Sequence, residues 1–190
     1  ALIVPTAVSS TWGHHKKGVV DYYIIKNLFI AIIIGSFLGA IFAQKISGDG
    51  LRLIFGIMAT FASFNLMRKV QFIVGEAMPT NISVNSLMGL IIGSISAMVG
   101  IGGGALSIPL MNAFSVAQHR ATGTASAIGL VIAIPSTIIY LMAETSHLFF
   151  PEWSIGMIYL PVFLVFLPLT IFGAQIGVNI AHKLDGLFLR

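Results

Sequence analysis

Three consecutive glycines, Gly102, Gly103 and Gly104, interrupt an otherwise apolar stretch of the chain. Without a Cβ, the backbone N–H groups at such a break stand open to a ligand, and a helix starting just beyond it turns its positive end toward the same point. Groups of that kind hold an anion without any charged side chain. Inside a helix each glycine would cost about 1 kcal/mol relative to alanine, so three in a row exceed what close helix packing, the alternative reading, asks for. Neutral hydrogen-bonding side chains nearby are candidates to complete the site. Ser107 follows the glycines, Thr122, Thr124 and Ser126 open the next apolar segment, and Thr6 lies near the start of the chain. Gln175 and Asn179 are four residues apart and so face the same way on a helix.

Each candidate has a second, purely structural reading. Successive positions among 122, 124 and 126 do not share one helical face, although an unwound helix start could direct two of them inward. Capping, or a bond to the i−4 carbonyl, explains them as well. Gln175 and Asn179 serve equally as glue between membrane helices. Pro5, Pro109 and Pro135 are expected to act as hinges or kinks, because each removes one backbone donor from its helix.

Other chemistries are poorly supplied. The chain has no cysteine, and the glycine run is not followed by the Lys-Ser/Thr of a phosphate-binding P-loop. His14, His15, His119, His147 and His182 fall in loops or at helix ends without metal-ligand spacing. An intramembrane enzyme would need a nucleophile with a base, or a metal cluster, and the apolar segments offer neither. No catalytic residue, metal or cofactor is therefore expected.

The elements that must position these residues follow from composition. Of 190 residues, 57% are hydrophobic and only 8% charged, against roughly a quarter charged in soluble domains. The net charge of +4 is spread between apolar runs, which excludes a nucleic-acid surface and fits membrane topology. About 20 apolar residues cross a bilayer, and spans are predicted at 23–44, 52–67, 121–143 and 153–181, the last long enough to kink at Pro161 and Pro168. Residues 1–11 read as the second half of another membrane helix, and 185–190 as a turn opening a further one. The sequence is accordingly expected to be a piece of a longer chain. Segment 84–114 carries the glycine break, which a bilayer tolerates only under cover of protein or a water-filled cavity.

Charge decides how that segment runs. If it crosses once, the ten basic residues divide five to five. If it enters, breaks and returns to the same side, eight share one face and only Lys45 and Arg52 lie opposite. The positive-inside rule favours the re-entrant hairpin, with the eight cytoplasmic. Faint repeats point the same way. Val4-Pro5-Thr6-Ala7 matches Ile134-Pro135-Ser136-Thr137, Asp21-Tyr22 matches Glu152-Trp153, Gly39-Ala40 matches Gly173-Ala174, and Asp49-Gly50-Leu51 matches Asp185-Gly186-Leu187, all in the same order. Each unit would hold a hairpin and three crossings, and an odd count inverts the second unit, as in many secondary transporters. The expected fold is thus an all-α polytopic membrane protein with inverted repeats and a glycine-broken re-entrant hairpin. Residues 1–83 form the later part of the first repeat, whose hairpin would precede residue 1, and 84–190 form the second repeat, with the hairpin at 84–114.

The stretch Gly93-Ser94-Ile95-Ser96-Ala97-Met98-Val99-Gly100-Ile101-Gly102-Gly103-Gly104-Ala105-Leu106-Ser107-Ile108-Pro109-Leu110 resembles the signature of the sulfite exporter TauE/SafE family of membrane permeases. Ala121-Thr122-Gly123-Thr124-Ala125-Ser126 resembles that family's next helix start, and the basic segment Gly13 to Asp21 is similar to its inter-helix loop. The resemblance implies a multi-pass protein of the bacterial inner membrane. Its implied cargo is a small sulfur-containing anion such as sulfite, sulfoacetate or thiosulfate, with a coupling ion, H+ or Na+, left open. The alternatives are a carrier of other organic anions such as lactate, or a membrane-embedded assembly subunit without transport activity.

Overall fold

The computed structural model describes residues 1–67, 73–143 and 151–184, with the side chains of 65–67 left aside. Among these residues seven helices dominate: α1 (Ile3–Lys16), α2 (Tyr22–Lys45), α3 (Gly48–Met67), α4 (Ile82–Val99), α5 (Gly104–Ala113), α6 (Gln118–Leu141) and α7 (Leu160–Ala181). A two-stranded antiparallel ribbon, β1 (Ser154–Ile155) and β2 (Ile158–Tyr159), precedes α7. Among the described residues, α2, α4, α6 and α7 are long and apolar enough to cross a membrane. The chain is an all-α polytopic membrane protein.

Local chemistry sets the helix starts. The Asp21 carboxylate accepts hydrogen bonds from the N–H groups of Tyr23 and Ile24 at 3.1 and 3.3 Å and caps α2. Asn81 caps α4 by accepting from Ser83 N–H at 2.9 Å. α1 runs beyond the expected 1–11 and takes in Gly13, His14, His15 and Lys16, which read as loop in the sequence. Packing overrides glycine's poor helix propensity there, since a Cβ at Gly13 would stand 3.0 Å from Val178 Cγ1 on α7. At the other end, the span expected from 153 begins only at Leu160, because Gly156 turns the ribbon back on itself. Pro161 then falls in the first turn of α7, where a missing N–H costs nothing, and starts the helix instead of kinking it.

α2 and α4 lie side by side and parallel, and glycine makes the contact possible. A Cβ at Gly35 would fall 2.5 Å from the Leu90 carbonyl oxygen, and one at Gly39 would fall 2.2 Å from that of Ser94. Reciprocally, Gly89 faces Leu28 and Ala31, and Gly93 faces Ile32 and Ser36. Each helix thus offers a Gly-x-x-x-Gly face to the other, the small-residue packing that membrane helices use where no hydrophobic effect drives them together.

The parallel course of α2 and α4 fixes the hairpin. α4 rises alongside α2 until the Tyr140 hydroxyl, near the far end of α6, donates to Ala97 O at 3.0 Å. The break follows, and α5 returns against α6. Its exit meets the approach to α4, where Val74 N–H donates to Ala113 O at 2.7 Å and Ser115 Oγ to Gly75 O at 3.1 Å. At about 1.5 Å per residue, the 18 residues of α4 reach some 27 Å deep, while the 10 of α5 cover only about 15 Å. Both outer ends of the hairpin therefore lie at one end of the molecule.

The same end gathers the basic residues. Asp21 pairs with Arg120 across the starts of α2 and α6, and Lys17 Nζ donates to Asn179 Oδ1 near the end of α7 at 3.2 Å. Lys45 and Arg52 flank the α2–α3 turn at the opposite end. Arg68, Lys69 and Arg190, which complete the expected set of eight, lie outside the described residues, as do His147 and Asp185-Gly186-Leu187. A labelling experiment checks the hairpin on a chain with no native cysteine. Glu76→Cys and Ala117→Cys, at two exposed loop positions, should react with an impermeant maleimide from the same side of sealed vesicles.

Candidate functional site

Gly100 and Gly102 turn the chain at the hairpin tip with φ of 70° and 78°, values that carry little strain only in glycine. Gly100 closes α4 by donating its N–H to Ser96 O at 2.9 Å. Gly103 plays a different part. A Cβ on it would stand 2.6 Å from Gly129 N and 2.9 Å from Ala125 O, so the bare backbone lies directly on α6, at the middle of that helix. α5 then begins at Gly104, and its first ladder bond runs from Ser107 N–H to Gly103 O at 3.1 Å. The N–H groups of Gly104, Ala105 and Leu106 precede that ladder.

Gly102, Gly103 and Gly104 line a cavity of about 390 Å³ between the hairpin, α1 and α6. Thr6, Ser10, Thr122 and Ser126 add hydroxyls to its wall, and Leu2, Ile3, Ile101 and Ile108 add apolar surface. Its volume lies within the roughly 300–1,000 Å³ usual for small-molecule sites. A second cavity of about 220 Å³ lies toward the far end, lined by Ser96, Ser136, Thr137 and Tyr140 among others. Ile3, Gly102 and Gly129 line both cavities and so form the waist between them.

Most of the hydroxyls in the larger cavity are already donating. Thr6 donates to Leu2 O at 2.8 Å, Thr122 to Gln118 O at 2.9 Å and Ser126 to Gly123 O at 2.7 Å. They present lone pairs to the cavity unless they rotate away from their helix carbonyls. The uncommitted donors an anion would meet first are the backbone N–H groups at the start of α5.

The remaining candidates are placed elsewhere. α6 is regular from Gln118, so Thr122 and Ser126, at i and i+4, face the cavity while Thr124 points away. Thr124 is fully buried and accepts the Asp21 N–H at 2.9 Å, tying α6 to the start of α2. Two of the three thus face the cavity, as the sequence left open, but from a regular helix and not from an unwound start. Ser107 is fully buried and lines neither cavity; among the described residues its hydroxyl has no hydrogen-bond partner. Gln175 donates to Ser9 O at 2.6 Å and to Ser9 Oγ at 2.9 Å, which clamps α7 to α1. Asn179 holds Lys17. Pro5 faces an outer groove with Trp12 and Gln175, Pro109 lies within α5, and Pro135 is buried in α6 beside Ser136, whose hydroxyl donates to Ile132 O at 2.7 Å.

One ionisable side chain reaches the larger cavity that the sequence had assigned to a loop. His14 is 4% exposed and lines the wall. Its Nδ1 lies 3.1 Å from His182 Nε2 at the end of α7, and the His182 ring stacks on His119 of α6 with centroids 5.6 Å apart. Among the described residues no group of His, Cys, Asp and Glu is arranged to hold a metal ion.

The family model for "Sulfite exporter TauE/SafE" matches residues 1–190. A "Probable membrane transporter protein" from Haemophilus influenzae is 25% identical over 187 residues, covering 97% of this chain and 70% of that protein. A similarly named protein from Methanocaldococcus jannaschii is 24% identical over 161 residues, covering 85% of this chain and 59% of the relative. No solved structure matches the chain.

Proposed function

The chain belongs to the sulfite exporter TauE/SafE family, and from that premise we propose that it is a secondary permease for a small oxyanion, sulfur-containing as in sulfite, sulfoacetate or thiosulfate. The observation that carries this reading is the cavity at the glycine break. It is formed where three helices meet, lined by backbone amides, hydroxyls and apolar groups, with no carboxylate in its wall among the described residues. Such a lining favours an anion small enough to approach the start of α5, and lacks the carboxylates a cation carrier needs. The second cavity beyond the Ile3–Gly102–Gly129 waist supplies the other half of an alternating path.

We further propose the inverted-repeat plan, with α1 paired to α6 and α2 to α7. Laying the α2 cap Asp21 on the α7 cap Tyr159 replaces the register that set Asp21 beside Glu152 and Gly39 beside Gly173, and puts Gly35 and Gly39 onto Gly173 and Gly177. In this plan the protein sits in a bacterial inner membrane with its basic end cytoplasmic.

A counterflow assay tests the function. Proteoliposomes preloaded with unlabelled sulfite, thiosulfate, sulfoacetate or lactate should accumulate the labelled sulfur anions transiently and lactate poorly. Counterflow of lactate alone replaces the cargo. Counterflow of none of the four overturns the transport reading.

A further inference from the structure

We propose that the His14–His182 pair is a proton-binding site through which the anion and one proton move together. The proposal rests on the transport reading above and names its coupling ion.

Three observations carry it. First, among the described residues His14 is the only titratable side chain lining the larger cavity, and it is almost completely buried there. Its position is the polar last turn of α1, past the apolar stretch and beside Lys16 and Lys17. Second, the 3.1 Å approach of His14 Nδ1 to His182 Nε2 admits a single hydrogen between the two rings. A neutral pair and a pair carrying one added proton both keep that bond. A second added proton would leave two donors facing each other and break it. Third, the pair is connected outward. His182 caps the C-terminal end of α7, where a cation is favoured, and its ring lies on that of His119 at the start of α6. The hydrogen bond to His182 thus connects the cavity wall to the basic end of the molecule.

The surrounding charges set the coupling. Burial above all, then His182, Lys17 and His119, pushes the His14 imidazole from its ordinary 6.5 down to about 4. Burial, Lys17 and His119 also lower His182. Arg120, nearby on α6, is paired with Asp21, and Lys17 is held by Asn179. The empty site is therefore neutral at pH 7. An anion in the cavity opposes the same positive field, raises the proton affinity of His14, and is itself bound more tightly once the proton is present, by the reciprocity of linked binding. The sign for the empty protein follows. Both imidazoles titrate below their ordinary value, so a state that separates them takes up protons more readily, and acidification from 6.5 toward 4 favours release of the pair.

The test measures protons and anion together in proteoliposomes loaded with a pH-sensitive dye. The probe is labelled thiosulfate, whose charge is constant near neutral pH. Wild-type protein should bring in about one proton per thiosulfate, and an inward pH gradient of one unit should raise the accumulation ratio about tenfold. In His182→Gln and His14→Gln the ratio of protons to thiosulfate should fall near zero in whatever uptake remains, and the effect of the gradient should vanish. His182 is partly exposed, so its variant is the one expected to fold without difficulty. A wild-type ratio of protons in either variant overturns the proposal. Thiosulfate counterflow in the wild type without any proton movement also overturns it, and leaves the transport reading standing.

Discussion

Gly103→Ala is expected to lower anion uptake sharply. The new methyl group would stand 2.6 Å from the backbone nitrogen of Gly129 and 2.9 Å from the Ala125 carbonyl oxygen. Neither is the end of a flexible side chain that could swing aside, so α5 itself must move off α6. Overpacking of this kind costs about 1–3 kcal/mol, and the displacement falls on the segment that both lines the cavity and starts the α5 helix. Uptake should drop by roughly five- to a hundredfold, the equivalent of that energy at 1.4 kcal/mol per decade. Gly104→Ala separates packing from ligand approach. A Cβ there meets only Ile108 Cδ1 at 3.7 Å, and alanine is the better helix former by about 1 kcal/mol. This neighbour should keep wild-type thermal stability and show a raised KM for the anion. Equal loss of stability in both variants would mean that the glycines serve helix geometry and not the contact with α6.

Much of this architecture is legible in the sequence because the bilayer imposes it. Apolar length locates α2, α6 and most of α7, and three glycines in an apolar run are a strong enough break to mark the hairpin tip. The distribution of Lys and Arg chooses the re-entrant course, and the bonds from Val74 N–H to Ala113 O and from Ser115 Oγ to Gly75 O close the hairpin at the basic end. What escapes the sequence is the choice among chemically equivalent residues. Thr122 and Thr124 differ by two positions and no property, yet one faces the cavity and the other anchors Asp21, because the rotation of α6 is set by Gly123 lying against Val19. Gln175 looks as suited to an anion as to a helix partner, and only the arrival of Ser9 decides. Gly129 is one small residue among many in α6, and its place at the waist depends on a chain segment 26 positions earlier, Gly103. His14 is the most instructive omission. Loop placement follows from its neighbours Gly13, His15 and Lys16, but Val178 and His182 extend the helix by packing against it, and that long-range contact leaves no local trace.

The parallel α2–α4 pair should be the least forgiving part of the molecule. Gly39→Ala would place a Cβ 2.2 Å from the Ser94 carbonyl oxygen and 2.7 Å from Ser94 Cα, and Gly93→Ala would place one 2.4 Å from Ile32 O. Both intrude on backbone, and each forces two long helices apart along their whole contact. Lipid is as apolar as the side chains that would be exposed, so the loss is one of van der Waals contact with no hydrophobic gain to offset it. Either change should cost about 1–3 kcal/mol and lower the Tm of the purified protein by about 2–4 °C for each kcal/mol. Gly56→Ala on α3 is the matched control, since nothing lies within 4 Å of a Cβ there and alanine should be neutral or slightly stabilising. Gly173→Ala and Gly177→Ala carry the further information. Their Cβ positions are equally open in this chain, although under the inverted-repeat proposal they correspond to Gly35 and Gly39. In the 190-residue chain both should behave like Gly56→Ala. A longer relative that carries glycines at the matching positions and loses stability there, as at Gly39, would reveal a helix docked on α7 as α4 is docked on α2. Tolerance in the relative as well would leave the two halves without a shared packing rule and remove the main support for pairing α2 with α7.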